Sequence, residues 1–239
     1  MFSYTHLVVA NRLLSRFSVE NEAEYYLGAL IPDIRYLSDV PRDQTHFRAK
    51  DLLPYFERYP ELQSFMTGYF VHCLIDDLEY GLNIGLLKRF PLAPFRRFLR
   101  TRYASIILEL YCVESIDVSC RLAETSNDFL RQLAIPDHDV VLFAQQLNDF
   151  LKCPDFDRQL ALAQSVGVQI PTRFDRYARF YKAIKRRPIW LALLFKGLRM
   201  QSYIHWMLEQ LTARPAYITF QQEVSLTQNL VEVTIPTRK

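Results

Sequence analysis

Glycine is scarce, at 6 of 239 residues, and no stretch is low in complexity. Such a chain has no long flexible linker written into it, and one domain with a sizeable core is expected. Long apolar runs are missing too. The longest near the C-terminus, PIWLALLF, is eight residues, far below the ~20 needed to span a bilayer. The start, MFSYTHLVVANRLL, has neither a basic opening nor a small-residue cleavage site, so it does not read as a secretion signal. Cysteine is limited to Cys73, Cys112, Cys120 and Cys153, with no CxxC pair. That excludes a zinc ribbon and suits reduced thiols. The expectation is a cytoplasmic protein, peripheral to membrane at most. Strong charge of either sign is absent as well: 29 basic against 26 acidic residues leave +3, which neither demands nucleic acid nor forbids it.

What is abundant is apolar: 50% of residues, with 14% aromatic. This argues for a packed protein rather than a disordered one. Helical periodicity recurs over about 3–16, 19–30, 50–57, 60–80, 94–122, 126–133, 139–151, 155–163, 173–185 and 188–212. Pro32 ends the second of these by removing a donor and crowding the preceding turn. Residues 33–50 are polar and read as a loop, a common bearer of function. After Pro215 the pattern alternates, as in ITFQQEV and LVEVTIP. The expected fold is all-α, a compact multi-helix bundle over residues 1–215, followed by a short extended or β tail over 216–239.

Histidine is rare as well, at five, so GYFVHCLIDD (68–77) stands out. It places a histidine and two aspartates in the most apolar helix. His72 and Asp76 are four apart, hence on one helical face about 5.4 Å apart along the axis. They can converge on one cation, which would also compensate the buried carboxylate. The simpler alternative is a helical His–Asp pair. His6 beside an apolar stripe, Asp33 after Pro32, and His46 in the polar loop bring the total to three imidazoles and two carboxylates. That is enough for one or two metal ions. His138 reads as a solvated turn residue. His205 and Glu209, four apart in SYIHWMLEQ, are a surface or core pair before they are a site.

In order, THLVVANRLL, YYLGALIPD, THF and GYFVHCLIDD resemble the zinc-dependent phospholipase C family, over roughly residues 4–78. The resemblance implies a phospholipase-C-type helical bundle and a zinc centre of one or two ions, with manganese or iron as substitutes. It implies that Asp33, His46, His72 and Asp76 hold one ion, and that His6 and Asp76 contribute to a second, with Asp76 bridging. The implied activity is phosphoric-ester hydrolysis, a metal-bound hydroxide attacking a phosphodiester or phospholipid. Asp33 would be ligand and general base, or ligand alone. Arg35, Arg42 and Arg48 flank the ligands and could neutralise substrate phosphate. The chain departs from the family in two respects. Met1 opens it five residues before His6, where the secreted enzymes use a processed N-terminal residue as ligand. No second cluster of histidines and a glutamate follows Asp76, which favours a reduced centre.

Two segments, Lys88–Tyr103 and Ile184–Arg199, interleave cations with aromatic and aliphatic residues. They suit an anionic membrane surface and would suit nucleic acid too, although nucleic acid is not the favoured partner. The rival to the hydrolase is a metal-stabilised helical protein without catalysis, binding a membrane surface or a protein partner.

Overall fold

Helix α1 spans Ser3–Leu13 and tightens into a 3-10 turn at Leu14–Arg16. The computed structural model describes residues 3–38, 40–88, 101–155, 157–158, 161 and 200–223. Helix α2, Glu22–Leu30, begins where the Asn21 side chain accepts from Glu24 N at 3.3 Å. Its start falls later than the periodicity suggests, because Ser64 Oγ accepts from the N–H groups of Glu20 and Asn21 at 3.2 and 3.1 Å and holds them outside the helix. After Leu30 the chain tightens into a 3-10 turn, Ile31–Tyr36, with Pro32 in its first turn. The expected polar loop therefore contains ordered turns: this one, the four-residue helix α3 (Arg42–Thr45) and a second 3-10 segment at Ala49–Leu52. Helices α4 (Leu53–Arg58) and α5 (Gln63–Lys88) follow.

Helix α6 covers Thr101–Ser115, and residues 116–127 then run without regular structure. The periodic reading carried this helix on to 122. The chain leaves it because other partners are at hand. Asn148 donates to Leu122 O at 3.1 Å and accepts from Leu122 N at 2.8 Å, while Ala123 N donates to Ala23 O at 3.0 Å. Helices α7 (Asp128–Gln132), α8 (Asp137–Leu151) and α9 (Met200–Thr212) complete the described bundle, with a further helix α10 over 215–223.

Helix α10 corrects the expected extended tail over 216–223; residues 224–239 lie outside the described residues. The alternation in ITFQQEV gives way to Tyr217 and Phe220, three apart and both buried. Phe220 stacks on Phe70 with ring centroids 4.1 Å apart and meets Phe56 at 4.8 Å. Burying that one face stabilises a helix more than a half-solvated strand would allow. The described residues are mostly helical and contain no strand, which is consistent with the expected all-α class. The two basic–aromatic segments lie, from 89 to 100 and from 184 to 199, outside the described residues, as do the helices expected over 173–185 and most of 155–163. No described helix is long and apolar enough to cross a membrane. All four cysteines are free thiols, Cys73 and Cys112 buried.

The centre of the bundle is the crossing of α2 with α5. A Cβ on Gly28 would lie 2.0 Å from Phe65 O, and one on Gly68 would lie 1.9 Å from Tyr25 O. Only glycine lets two helix backbones approach so closely. Helix α1 packs against both, and against α6.

Candidate metal centre

The α2–α5 crossing decides where His72 sits. It lies one turn beyond Gly68, so the close backbone approach carries its ring onto the end of α2. There Nδ1 lies 2.9 Å from Ala29 O. Ala29 holds one of the last four carbonyls of α2, which have no partner within the helix. A carbonyl only accepts, so Nδ1 carries the hydrogen and Nε2 presents its lone pair to the opposite side. Pro32 and the tight turn after it then bring Asp33 around to the same spot.

His6 arrives from α1. The start of that helix is held by Glu109 of α6, which is fully buried. Glu109 accepts from Tyr4 N at 3.0 Å, Thr5 N at 2.8 Å and Thr5 Oγ1 at 2.5 Å. An anion capping free N–H groups complements the helix dipole. Tyr25 Oη donates to Ala10 O at 2.8 Å and Tyr26 Oη to Asn11 Oδ1 at 2.7 Å, tying α1 to α2. As a result the His6 and His72 rings stack, 4.2 Å apart and 19° from parallel.

His46 follows α3. Tyr69 Oη donates to Thr45 O. Phe47 is wedged among Tyr55, Tyr69 and Phe129. Ala49 N donates to Asp77 Oδ2 at 3.0 Å. These three contacts pin the segment to α5. Thr45 Oγ1 lies 2.9 Å from His46 Nδ1 and 3.4 Å from Arg42 O. The hydroxyl can accept from the ring while donating to that carbonyl, which again turns a lone pair of Nε2 inward.

All five expected ligands meet. His6 Nε2 is 3.4 Å from Asp76 Oδ1, and His46 Nε2 is 3.4 Å from Asp76 Oδ2 and 3.7 Å from Asp33 Oδ1. His72 Nε2 is 4.0 Å from Asp76 Oδ2. Two triplets, His6–His72–Asp76 and Asp33–His46–His72, each bring their ligand atoms within 4.8 Å of one another. They share His72, while the two Asp76 oxygens divide between His6 and His46. The Nε2 atoms of His46 and His72 are buried with no hydrogen-bond partner, which is costly in an ordinary core. These donors could hold a metal ion.

The electrostatics are those of an acid cluster among imidazoles. Burial pushes His72 from an ordinary 6.5 down to about 3, and neighbouring His6 adds to this, against the opposing pull of Asp33 and Asp76. Burial acts to raise Asp33, but the His46 contact and the His72 ring outweigh it and hold the carboxyl well below the usual range. Asp76 is held low likewise: burial again opposes, and the His6 and His72 contacts prevail.

The arginines divide. Arg42, half-exposed, places Nη2 2.7 Å from Asp76 Oδ2. Arg48 pairs with Asp51 at 2.8 Å on the surface, and Arg35 is half-buried on the 3-10 turn. His138 is exposed beside Asp139, and His205 pairs at 3.3 Å with Glu209 on an exposed face of α9. Two surface clefts, of about 740 and 600 Å³, contain none of the five expected ligands or these three arginines; His205 lines the second. Sequence reasoning missed Glu109, Ala29 O, Tyr69 and Asp77, all supports rather than ligands. Asp77 is visible only as the second aspartate of GYFVHCLIDD, and Glu109 only as one acid inside IILELYC, neither with a role attached.

No protein family, curated protein or solved structure matches the chain.

Proposed function

We propose that this protein is a metal-dependent phosphoric-ester hydrolase, built on a helical scaffold like that of the zinc-dependent phospholipases C and working in the cytoplasm. The observation that carries the reading is the convergence of buried imidazole Nε2 atoms, two of them without a hydrogen bond, on two carboxylates held ionised. Three imidazoles and two carboxylates match the borderline donor preference of zinc, and also admit manganese or iron. His6, Asp33, His46, His72 and Asp76 would hold one or two ions. When bound, a divalent ion supplies Lewis acidity toward a phosphoryl oxygen and lowers the pKa of a coordinated water.

The chain's own residues then bind and orient. His72, locked by Ala29, and His46, steadied by Thr45, keep their donor atoms aimed inward. Asp33 would serve as ligand and general base, or as ligand alone. Arg42, at the partly exposed edge, is the cation best placed for a phosphate. The substrate is a phosphodiester or a phospholipid, the latter met at a membrane surface.

Metal content after purification without chelator or metal-affinity steps tests the first half of this reading. Hydrolysis of bis(p-nitrophenyl) phosphate, with zinc, manganese and iron supplied in turn, tests the second. Metal without turnover would support the rival, a metal-stabilised binding protein. The deep burial of four of the five ligands favours that rival, since a catalytic ion needs an open position.

A further inference from the structure

We infer that Arg42 is a displaceable resident cation which links metal entry to the binding of an anionic phosphate ester; this rests on the metal reading above. The guanidinium lies 2.7 Å from Asp76 Oδ2, the oxygen that also faces His46 Nε2 at 3.4 Å and His72 Nε2 at 4.0 Å. A metal using that oxygen would stand about 2.0–2.2 Å from it. Two cations sharing one oxygen repel each other, although the half-exposed guanidinium is partly screened by water. Occupation by the metal and by Arg42 therefore compete.

Arg42 is built to leave. Its backbone is fixed, since its carbonyl accepts from His46 N at 2.8 Å, but its side chain is 54% exposed against 14% for Asp76. The guanidinium can swing outward without any movement of α3. Once out, it stands at the edge of the centre with its planar donors unpaired from Asp76, suited to two oxygens of a phosphate ester. An anion that holds Arg42 outward favours the state the metal needs. By linkage the metal and the anion must tighten each other by the same factor. The centre would thus fill with metal most readily when an anionic ester is present.

The test is zinc titration of the full chain, stripped with chelator, against a chromophoric competitor. Dimethyl phosphate is the probe anion, because a monoanionic diester itself holds zinc weakly. Arg42→Gln is expected to bind zinc about tenfold more tightly than wild type, since it removes a charge-assisted competitor. Lys50→Gln removes an exposed charge from the same segment without touching Asp76, and is expected to change zinc affinity by no more than about twofold. Dimethyl phosphate should tighten zinc binding to wild type by about fivefold and to Arg42→Gln much less. Equal effects of the two substitutions would reduce Arg42 to general electrostatics and overturn the inference. So would an equal effect of dimethyl phosphate on wild type and Arg42→Gln. Zinc binding by neither protein would instead overturn the metal reading on which the inference stands. Unchanged far-UV circular dichroism in Arg42→Gln ensures that each comparison is between folded proteins.

Discussion

His72 gives its Nδ1 hydrogen to Ala29 O at 2.9 Å, and that one bond decides which ring nitrogen faces Asp76. A carbonyl at the end of α2 thereby orients a ring 43 positions along the chain. His72→Ala should remove a donor common to both ligand triplets. Metal affinity is expected to fall by more than about 100-fold, beyond the usual effect of losing a mere outer partner. The cavity and the orphaned Ala29 carbonyl should cost roughly 2–4 kcal/mol of stability, leaving a helical protein. Asp76→Asn should lose metal similarly, because an amide cannot offset the ion's charge. Equal metal binding by wild type and His72→Ala, measured by equilibrium dialysis, would remove His72 from the site.

Gly68→Ala should be far more damaging than its size suggests. The new methyl would meet Tyr25 O at 1.9 Å and Ala29 N at 2.8 Å, and both belong to helix backbone with no rotamer to yield. The two helices must separate, at a cost of about 1–3 kcal/mol or more. Separation also draws His72 away from Ala29, so metal affinity should drop along with the denaturation midpoint. A surface alanine control on α5 would move neither.

Acid should destabilise the metal-free protein over two successive pH ranges. His72 sits at about 3 when folded, against an ordinary 6.5, so the unfolded chain takes up a proton that the folded one refuses. Stability contributed by neutral His72 is complete above about 6.5 and is lost as pH falls from there toward 3. Asp33 and Asp76 are depressed from an ordinary 3.8. Their contribution is present above that value and is lost as pH falls below it. Both signs agree: the unfolded state binds more protons. Urea midpoints measured from pH 7 down to pH 3 should decline steadily, and His72→Ala should flatten the upper part of the slope.

Much of this centre could be read from residue spacing. His72 and Asp76 share a face because they are four apart on an apolar helix, and Pro32 foretold the corner that carries Asp33. The supports were not legible, because each depends on contact between distant segments. Nothing in the sequence near Ala29 says that its carbonyl lacks a partner within α2, and Glu109 reads as an ordinary helical acid until Tyr4 and Thr5 are set against it. Tertiary packing also overrode local pattern at the chain's end, where Phe220 finds Phe70 and draws an alternating segment into a helix.

Glu109 offers the sharpest test of support at a distance. Its two oxygens hold Tyr4 N, Thr5 N and Thr5 Oγ1, one and two residues before His6. Glu109→Ala leaves those donors buried and unpaired, which should cost about 1–3 kcal/mol and loosen the first turn of α1. Glu109→Gln keeps one acceptor oxygen and the shape but forfeits the charge opposite the helix terminus, so its loss should be smaller, roughly 1 kcal/mol. The triplet with His6 depends on that turn, whereas the Asp33–His46–His72 triplet does not. If two ions bind, Glu109→Ala should weaken the one held by His6 and spare the other, seen as a change from two equivalents to one in a zinc titration. Weakening of both to the same degree would show that Glu109 serves the fold as a whole and not the placement of His6.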